Sequence, residues 1–357
     1  MCDSLSSDTQ NLSMNDFLAN FPEVESMVYC LTKFPYIEVN YGHRILFDSY
    51  GLRLDIQIVH EMIKHIPLKF FFYYEHAECS HPADWLFINI DTTKFTRLLK
   101  DTRYPTVFAC KTQQCVKYAT QWSQEHQLQQ KILYTGFTSI DRFMPSVLKS
   151  YDKWIHIAGK SPFKGSFTIA HEWMLHPEYP LLTMIIRDHS DNDYLLYKIK
   201  LMFHNLSIEH PKNLIIRSDY ISDNDIQTMI NEHGVHICAS MCEGFGHTIN
   251  EARSTEALVL YTNGEPMTEF FEDGINGIAI DCVKKNSRFF YENDEIILKD
   301  YYYITPSGLQ HAIHRVMQLS HEMRQSIGKR AREKFLINDS EFKVRIVNLV
   351  ENYNSTL

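Results

Sequence analysis

ICASMCEGFGHTINEARSTEALVLYTNGEPMTEFFEDGING, residues 237–277, decides how the rest of the chain reads. The apolar run VHICA (235–239) ends in small residues and is followed by Glu243-Gly-Phe-Gly. From His247 a helix is predicted that carries Asn250 and Glu251, and a second apolar run, LVLYT (258–262), comes directly after it. Strand, short turn, helix and strand in that order mean right-handed crossovers and a parallel sheet. In open sheets of that kind ligands bind beyond the carboxyl ends of the strands, where Glu243–Gly246 falls. Glycines at 244 and 246 let the backbone come close to a ligand. The free N–H groups at the start of the following helix suit an anion such as a diphosphate.

The same alternation extends outward from Tyr151. Further strands are expected at WIHIA (154–158), LLTMIIR (181–187), NLIIR (213–217) and GIAID (277–281), with helices near 165–175, 192–204, 222–233, 247–256 and 266–272. Ser222 and Asp225 make a capping-box-like start for one of these helices. A polar stretch near 284–300 leads into a helical C-terminus from about Ser307 to Tyr353. The first half offers strands at YIEVN, RILFD, KFFFYY, WLFINI, TVFAC and ILYTG, and helices near 52–65, 93–100 and 111–127. The expected fold class is α/β, with two Rossmann-like lobes facing each other across a cleft and a C-terminal lobe built on a parallel sheet with helices on both faces. Residues 1–16 read as a flexible tail and 17–150 as an N-terminal lobe. Residues 151–335 read as the ligand-binding lobe, and 336–357 as a C-terminal helix free to pack back on the first lobe.

Composition narrows the function. The chain has 357 residues, 44% of them hydrophobic and 22% charged, as folded domains do. A net charge of −9 argues against a general affinity for nucleic-acid phosphates. No apolar run approaches the roughly 18 residues of a membrane span. The start, MCDSLSSDTQNLSMND, lacks the basic and apolar regions of a signal peptide, so a cytoplasmic protein is expected. The closest cysteine pairs, Cys110/Cys115 and Cys238/Cys242, lie beside strand-like runs, where a free buried thiol is commoner than a metal ligand. The 18 histidines are scattered without zinc spacing, and neither a metal nor a cofactor is expected.

Spacing bears on the two glutamates. Eight helical residues span about 12 Å, whereas the carboxylates that share one glycosidic bond stand about 5–9.5 Å apart. Glu243 and Glu251 thus suit the two ends of one elongated ligand, sugar at one end and ribose at the other, with a diphosphate between.

Taken together, Glu-x7-Glu after a small-residue strand end, then Gly…Pro…Glu and Asp273-Gly274…Gly277, resembles the retaining glycosyltransferases of the GT-B fold, family 4. The likeness covers most of 150–335. It implies that Glu243 contacts the donor sugar and Glu251 the ribose, with Gly244, Phe245, Gly246, His247 and Thr248 lining sugar and phosphates. Gly264-Glu265-Pro266-Met267-Thr268-Glu269 departs from the family's Gly-Gly-x-Pro-Glu turn by one replaced glycine and one extra residue, with Gly264 and Glu269 still implied at the donor. In the turn Gly159-Lys160-Ser-Pro-Phe-Lys164-Gly165, the resemblance implies that both lysines grip the diphosphate, Lys160 standing where the family usually has Arg. Lysine keeps the charge and loses the bidentate fork.

The implied reaction moves a sugar from a uridine- or guanosine-diphosphate donor to a hydroxyl of a glycan or similar acceptor, with retention and without a metal. A nucleotide-sugar-binding protein without catalysis and an epimerase of the same fold are the alternatives. Family members often bring a histidine from the first lobe to the donor sugar; His43, His76 and His81 are the candidates, between which the sequence does not choose, and Lys111 stands at a strand end on the same lobe.

Overall fold

A computed structural model describes residues 36–40, 44–48, 53–63, 65–66, 71–74, 85–89, 107–159, 161–187, 193–205, 211–285, 290–292, 295–297 and 300–356. The chain divides into two compact units. One comprises Met1–Phe137, Phe289–Leu298 and Glu341–Leu357, the other Thr138–Arg288 and Lys299–Ser340.

The first unit holds a six-stranded sheet whose spatial order follows the sequence: β1 (Tyr36–Asn40), β2 (Arg44–Asp48), β3 (Phe71–Tyr74), β4 (Trp85–Ile88), β5 (Val107–Cys110) and β6 (Lys131–Tyr134). The β1–β2 pair is antiparallel and the rest are parallel. Helix α1 (Arg53–Ile63) lies between β2 and β3 in the chain, and α2 (Gln113–Glu125) between β5 and β6. Every residue of β4 and β5 is buried, which is why both read as unbroken apolar runs.

The second unit is wound differently. Its sheet contains β7 (Ser150–Gly159), β8 (Leu182–Ile186), β9 (Leu214–Arg217), β10 (His233–Cys238), β11 (Leu258–Thr262) and β12 (Ile278–Ile280), all parallel, in the order β12-β11-β10-β7-β8-β9. The chain runs outward from β7 to one edge, returns to β10, and runs outward to the other. The order therefore reverses between β7 and β10, and the crossovers that follow these two strands lead to opposite edges of the sheet. The crossovers are α3 (Ser166–Leu175), α4 (Asp193–Asn205), α5 (Asp223–Glu232) and α6 (His247–Ser254). Trp154 of β7 and Trp173 of α3, both fully buried and 5.9 Å apart between ring centroids, sit in the core between sheet and helix.

Beyond β12 the chain departs from expectation. The polar stretch after 281 carries β13 (Cys282–Lys285), a hairpin of β14 (Phe290–Glu292) and β15 (Glu295–Ile297), and β16 (Tyr301–Ile304), which pairs antiparallel with β13. The helix expected near 266–272 is only a single 3-10 turn, Met267–Glu269. Pro266 lies at its start, and the amide of Glu269 reaches back just three residues, to the Pro266 carbonyl, at 2.9 Å. The C-terminus is two helices, α7 (Pro306–Gln318) and α8 (His321–Thr356). Leu319 leaves the helical region at ψ 140, and the Ser320 hydroxyl accepts from the Met323 amide at 3.3 Å to begin the second. The tail at 1–16 and the helix at 93–100 lie outside the described residues. Among the described residues, no helix is long and apolar enough to cross a membrane.

Candidate functional site

Two loops leave the sheet where its order reverses. One follows β7 and ends at Gly165; the other follows β10 and ends at Gly246. They are laced together: the Met241 amide donates to the Phe163 carbonyl at 2.7 Å. Gly165 has φ +68, and a Cβ there would stand 2.7 Å from the Ala239 carbonyl oxygen, so backbone conformation and close approach both require glycine. Gly246, at φ +96, turns the second loop into α6.

These glycines give the two helices a shared property. α3 and α6 begin on left-handed glycines, with no side chain capping their first amides. By contrast α2, α5 and α7 are capped by Thr112, Ser222 and Thr305, each accepting from an amide three residues on. The two uncapped starts follow the two strands at the order reversal, and uncapped helix starts attract anions.

Side chains add charge to that frame. Lys164, one residue before Gly165, donates from Nζ to Oε1 of Glu243, and both side chains are largely shielded, at 16% and 12% exposure. The structure thus brings two of the sequence-predicted residues into direct contact. Lys160 lies outside the described residues. Gly159 turns at φ +55 with open space where a Cβ would be, and Gly244 and Phe245 are buried. The Phe245 ring meets both His247 and Phe270 edge-on at 5.4 Å. His247 and Thr248 are half-buried in the first turn of α6.

Three neighbours of this cluster carry no sequence signal of their own. Ser139 lies 2.8 Å from His247 Nδ1 and fixes the imidazole at the helix start. His156 is fully buried; its Nδ1 is 2.8 Å from the Ile237 carbonyl and its Nε2 2.8 Å from the Ser166 hydroxyl, which ties β7, β10 and α3 together. Burial pulls its pKa down to about 4, with the Lys164 charge acting in the same direction, so a neutral imidazole lies beneath the lysine at neutral pH. Burial pushes the thiol of Cys238, at the end of β10, up to about 12, which makes it an inert apolar side chain.

The third neighbour is Arg142. Glu251 sits in the second turn of α6 with its carboxylate at 22% exposure, and Arg142 donates to it from Nε at 3.4 Å and to Asp223 of α5 from Nη1 at 2.9 Å. Burial raises the Glu251 pKa, and the charges of Arg142 and His247 oppose that rise. The interval from Glu243 to Glu251 is not helical throughout, as the spacing of about 12 Å assumed. Glu243–Gly246 is loop and α6 begins at His247, so the helical rise behind the 12 Å figure applies only to the second half of the interval.

The turn after β11 is packed from outside. Gly264 is buried beneath Tyr302, whose ring atoms would stand 2.3 Å from any added Cβ, and Glu269 closes the 3-10 turn. In the following turn Gly274 has φ +77 and Asp273 accepts from the Ala279 amide at 2.8 Å, holding the segment that becomes β12.

Lys111 is placed in the first unit, directly after β5. It is 3% exposed, ion-paired with Asp55, and its Nζ stands 4.8 Å from the centroid of the Phe137 ring. His43, His76 and His81 lie outside the described residues. Among the described residues no cluster of three or more His, Cys, Asp or Glu is positioned to hold a metal.

No family model matches the chain, and no curated protein matches it by sequence. Solved structures do. A glycosyltransferase from Rickettsia africae ESF-5 superposes with TM-score 0.58 at 14% identity, covering 86% of this chain and 84% of that one. HepE of Anabaena, solved in complex with UDP and glucose, gives 0.57 at 14%, covering 87% and 83%. The α,α-trehalose 6-phosphate synthase of Burkholderia multivorans gives 0.57 at 9%, covering 85% and 75%. At these identities the likeness speaks to fold: the chain is an α/β protein with parallel sheets flanked by helices, and its architecture is the GT-B fold of these glycosyltransferases.

Proposed function

We propose that the chain is a glycosyltransferase that takes a nucleoside-diphosphate sugar as donor and passes the sugar to an acceptor hydroxyl with retention at the anomeric carbon. The observation that carries this reading is the Lys164–Glu243 pair, set where the sheet order reverses and next to two helix starts that no side chain caps. A diphosphate is the ligand such a place suits: two helix starts and a lysine offer it positive potential. The neighbouring Glu243 would repel it, and Lys164, already bound to that carboxylate, screens the repulsion. Glu243 then faces the sugar's hydroxyls, and Glu251 the ribose. The bound UDP and glucose of HepE make a uridine-diphosphate sugar the first donor to test.

As the bond from the anomeric carbon to the diphosphate oxygen breaks, negative charge collects on the leaving phosphate. Preorganised donors aimed at that charge supply most of the stabilisation in such a reaction. Lys164, Lys160 and the first amides of α6 fill this role without a metal. The leaving phosphate takes the acceptor's proton on the face it departs from, so no enzyme nucleophile is needed.

Two measurements test the proposal. In a thermal-shift panel of uridine-, guanosine- and adenosine-diphosphate sugars, one series raises the melting temperature, since a ligand of the native state stabilises it. Glu243→Gln keeps that shift and lowers donor turnover at least about 100-fold, the usual cost of losing one transition-state contact. A panel in which no nucleotide shifts the melting point, or unchanged turnover in the variant, sinks the assignment. Nucleotide binding without transfer or donor hydrolysis points instead to a regulatory binding protein, and an altered sugar released without acceptor to an epimerase.

A further inference from the structure

We infer that Arg142 is a positioning residue for the donor's ribose, holding the Glu251 carboxylate where the sugar's hydroxyls donate to it. The inference rests on the reading of Glu251 as the ribose contact and adds a residue from a stretch that has neither helix nor strand.

The main chain at Arg142 is anchored on two sides. Its amide donates to the Ser254 hydroxyl of α6 at 2.9 Å, and its carbonyl accepts from Asn231 of α5 at 2.8 Å and from Gln227 at 3.4 Å. Asp141, just before it, takes both guanidinium nitrogens of Arg332, at 2.8 and 2.9 Å. Arg142 thus starts from a fixed base, and its guanidinium fork spans from Asp223 on α5 to Glu251 on α6.

The two carboxylates it touches differ in what they need. Asp223 is 74% exposed and is solvated with or without a partner. Glu251 is mostly shielded, and a shielded carboxylate without a partner takes up a proton instead of keeping its charge. The groups facing it are Arg142 and His247, which favour the charged form, and Asp223, which opposes it. Only one oxygen, Oε1, is engaged by Arg142; among the described residues Oε2 takes no hydrogen bond. A ribose presents vicinal hydroxyls, both of which donate to a carboxylate whose orientation is set. Protonation would turn one acceptor oxygen into a donor and lose half of that recognition.

The test compares UDP with 2′,3′-dideoxy-UDP, by calorimetry, in wild type, Arg142→Gln and Arg142→Lys. Wild type is expected to prefer UDP by about tenfold or more, the worth of one hydrogen bond to a charged group. R142Q should lose most of that preference while keeping its affinity for the dideoxy nucleotide, and R142K should restore part of it. UDP affinity falls on the acid side as Glu251 protonates, and in R142Q this fall should move to higher pH, because the cation opposing the rise is gone. Equal weakening of both nucleotides in R142Q, with the pH dependence unmoved, overturns the role and leaves Arg142 a packing residue. A wild type that binds UDP without preferring the ribose overturns it too, and spares the donor assignment. A wild type that binds no nucleotide removes both.

Discussion

Each unit of the molecule has a lysine paired with a carboxylate beyond the carboxyl end of a parallel strand, and the two pairs differ in almost everything else. Lys111 follows β5 in the first unit and meets Asp55 of α1 with both side chains nearly fully buried, at 2% and 4% exposure. Lys164 follows β7 in the second unit and meets Glu243 with a several-fold larger share of each side chain still open to water. Topology accounts for the contrast. The described strands of the first sheet run in sequence order, whereas the second sheet reverses between β7 and β10, from which the chain leads to opposite edges. Residue type and strand end are the same in both places. What separates an internal strut from a candidate ligand site is whether neighbouring crossovers cover it.

The largest effect that would break this contrast is on stability. Lys111→Met takes the cation from the buried Asp55; removing one partner of a buried pair costs about 3–5 kcal/mol, whereas exchanging both for apolar residues of similar size is often neutral. Denaturant unfolding should show that loss in Lys111→Met and near-recovery in Lys111→Met/Asp55→Leu. A single variant as stable as wild type would show the pair to be less enclosed than its geometry says. The matching change in the second unit, Lys164→Met, should act on turnover. A loss of about 10²–10³-fold is expected where a group stabilises transition-state charge. The accompanying fall in stability should be smaller than for Lys111→Met, because solvent still reaches Glu243. If stability falls as far and turnover holds, the two pairs are the same kind of structure.

Much of this frame was legible in the sequence, for a physical reason. Strands covered on both faces are apolar throughout, so VHICA, LVLYT, WIHIA and TVFAC announced themselves, and the glycines following Glu243 marked a loop where a backbone comes close. The 3-10 turn at Met267–Glu269 was not legible, because its apolar content matches that of a short helix and only the placement of Pro266 argued otherwise. The break at Leu319–Ser320 was hidden in the same way, by helix formers on both sides. Arg142 was the least legible. It is one arginine in a segment without periodicity, and the carboxylates it joins are 81 and 109 residues away. Ser139 and His247 meet across 108. Pairings of that range are made by the winding of the sheet. The signal available was a cluster of polar residues, Ser139, Asp141 and Arg142, in the connection 135–149 between two strands.

The smallest expected effect sharpens the contrast between capped and uncapped helix starts. Ser222 accepts from the Asp225 amide at 3.1 Å, and its hydroxyl donates to the Asp225 carboxylate at 2.7 Å. Losing such a cap costs about 1 kcal/mol, so in Ser222→Ala the first-turn amides of α5 should exchange with solvent deuterium about five times faster. Nucleotide binding should be untouched, since α5 already satisfies its own start. α6 should behave in the opposite way. No side chain caps its first turn, so its amides have a protection still to gain. Adding UDP should slow exchange at His247, Thr248 and Ile249 and leave the first turn of α5 as it was. Slowing at both helices would mean that UDP tightens the unit as a whole, and slowing at neither would place the diphosphate elsewhere.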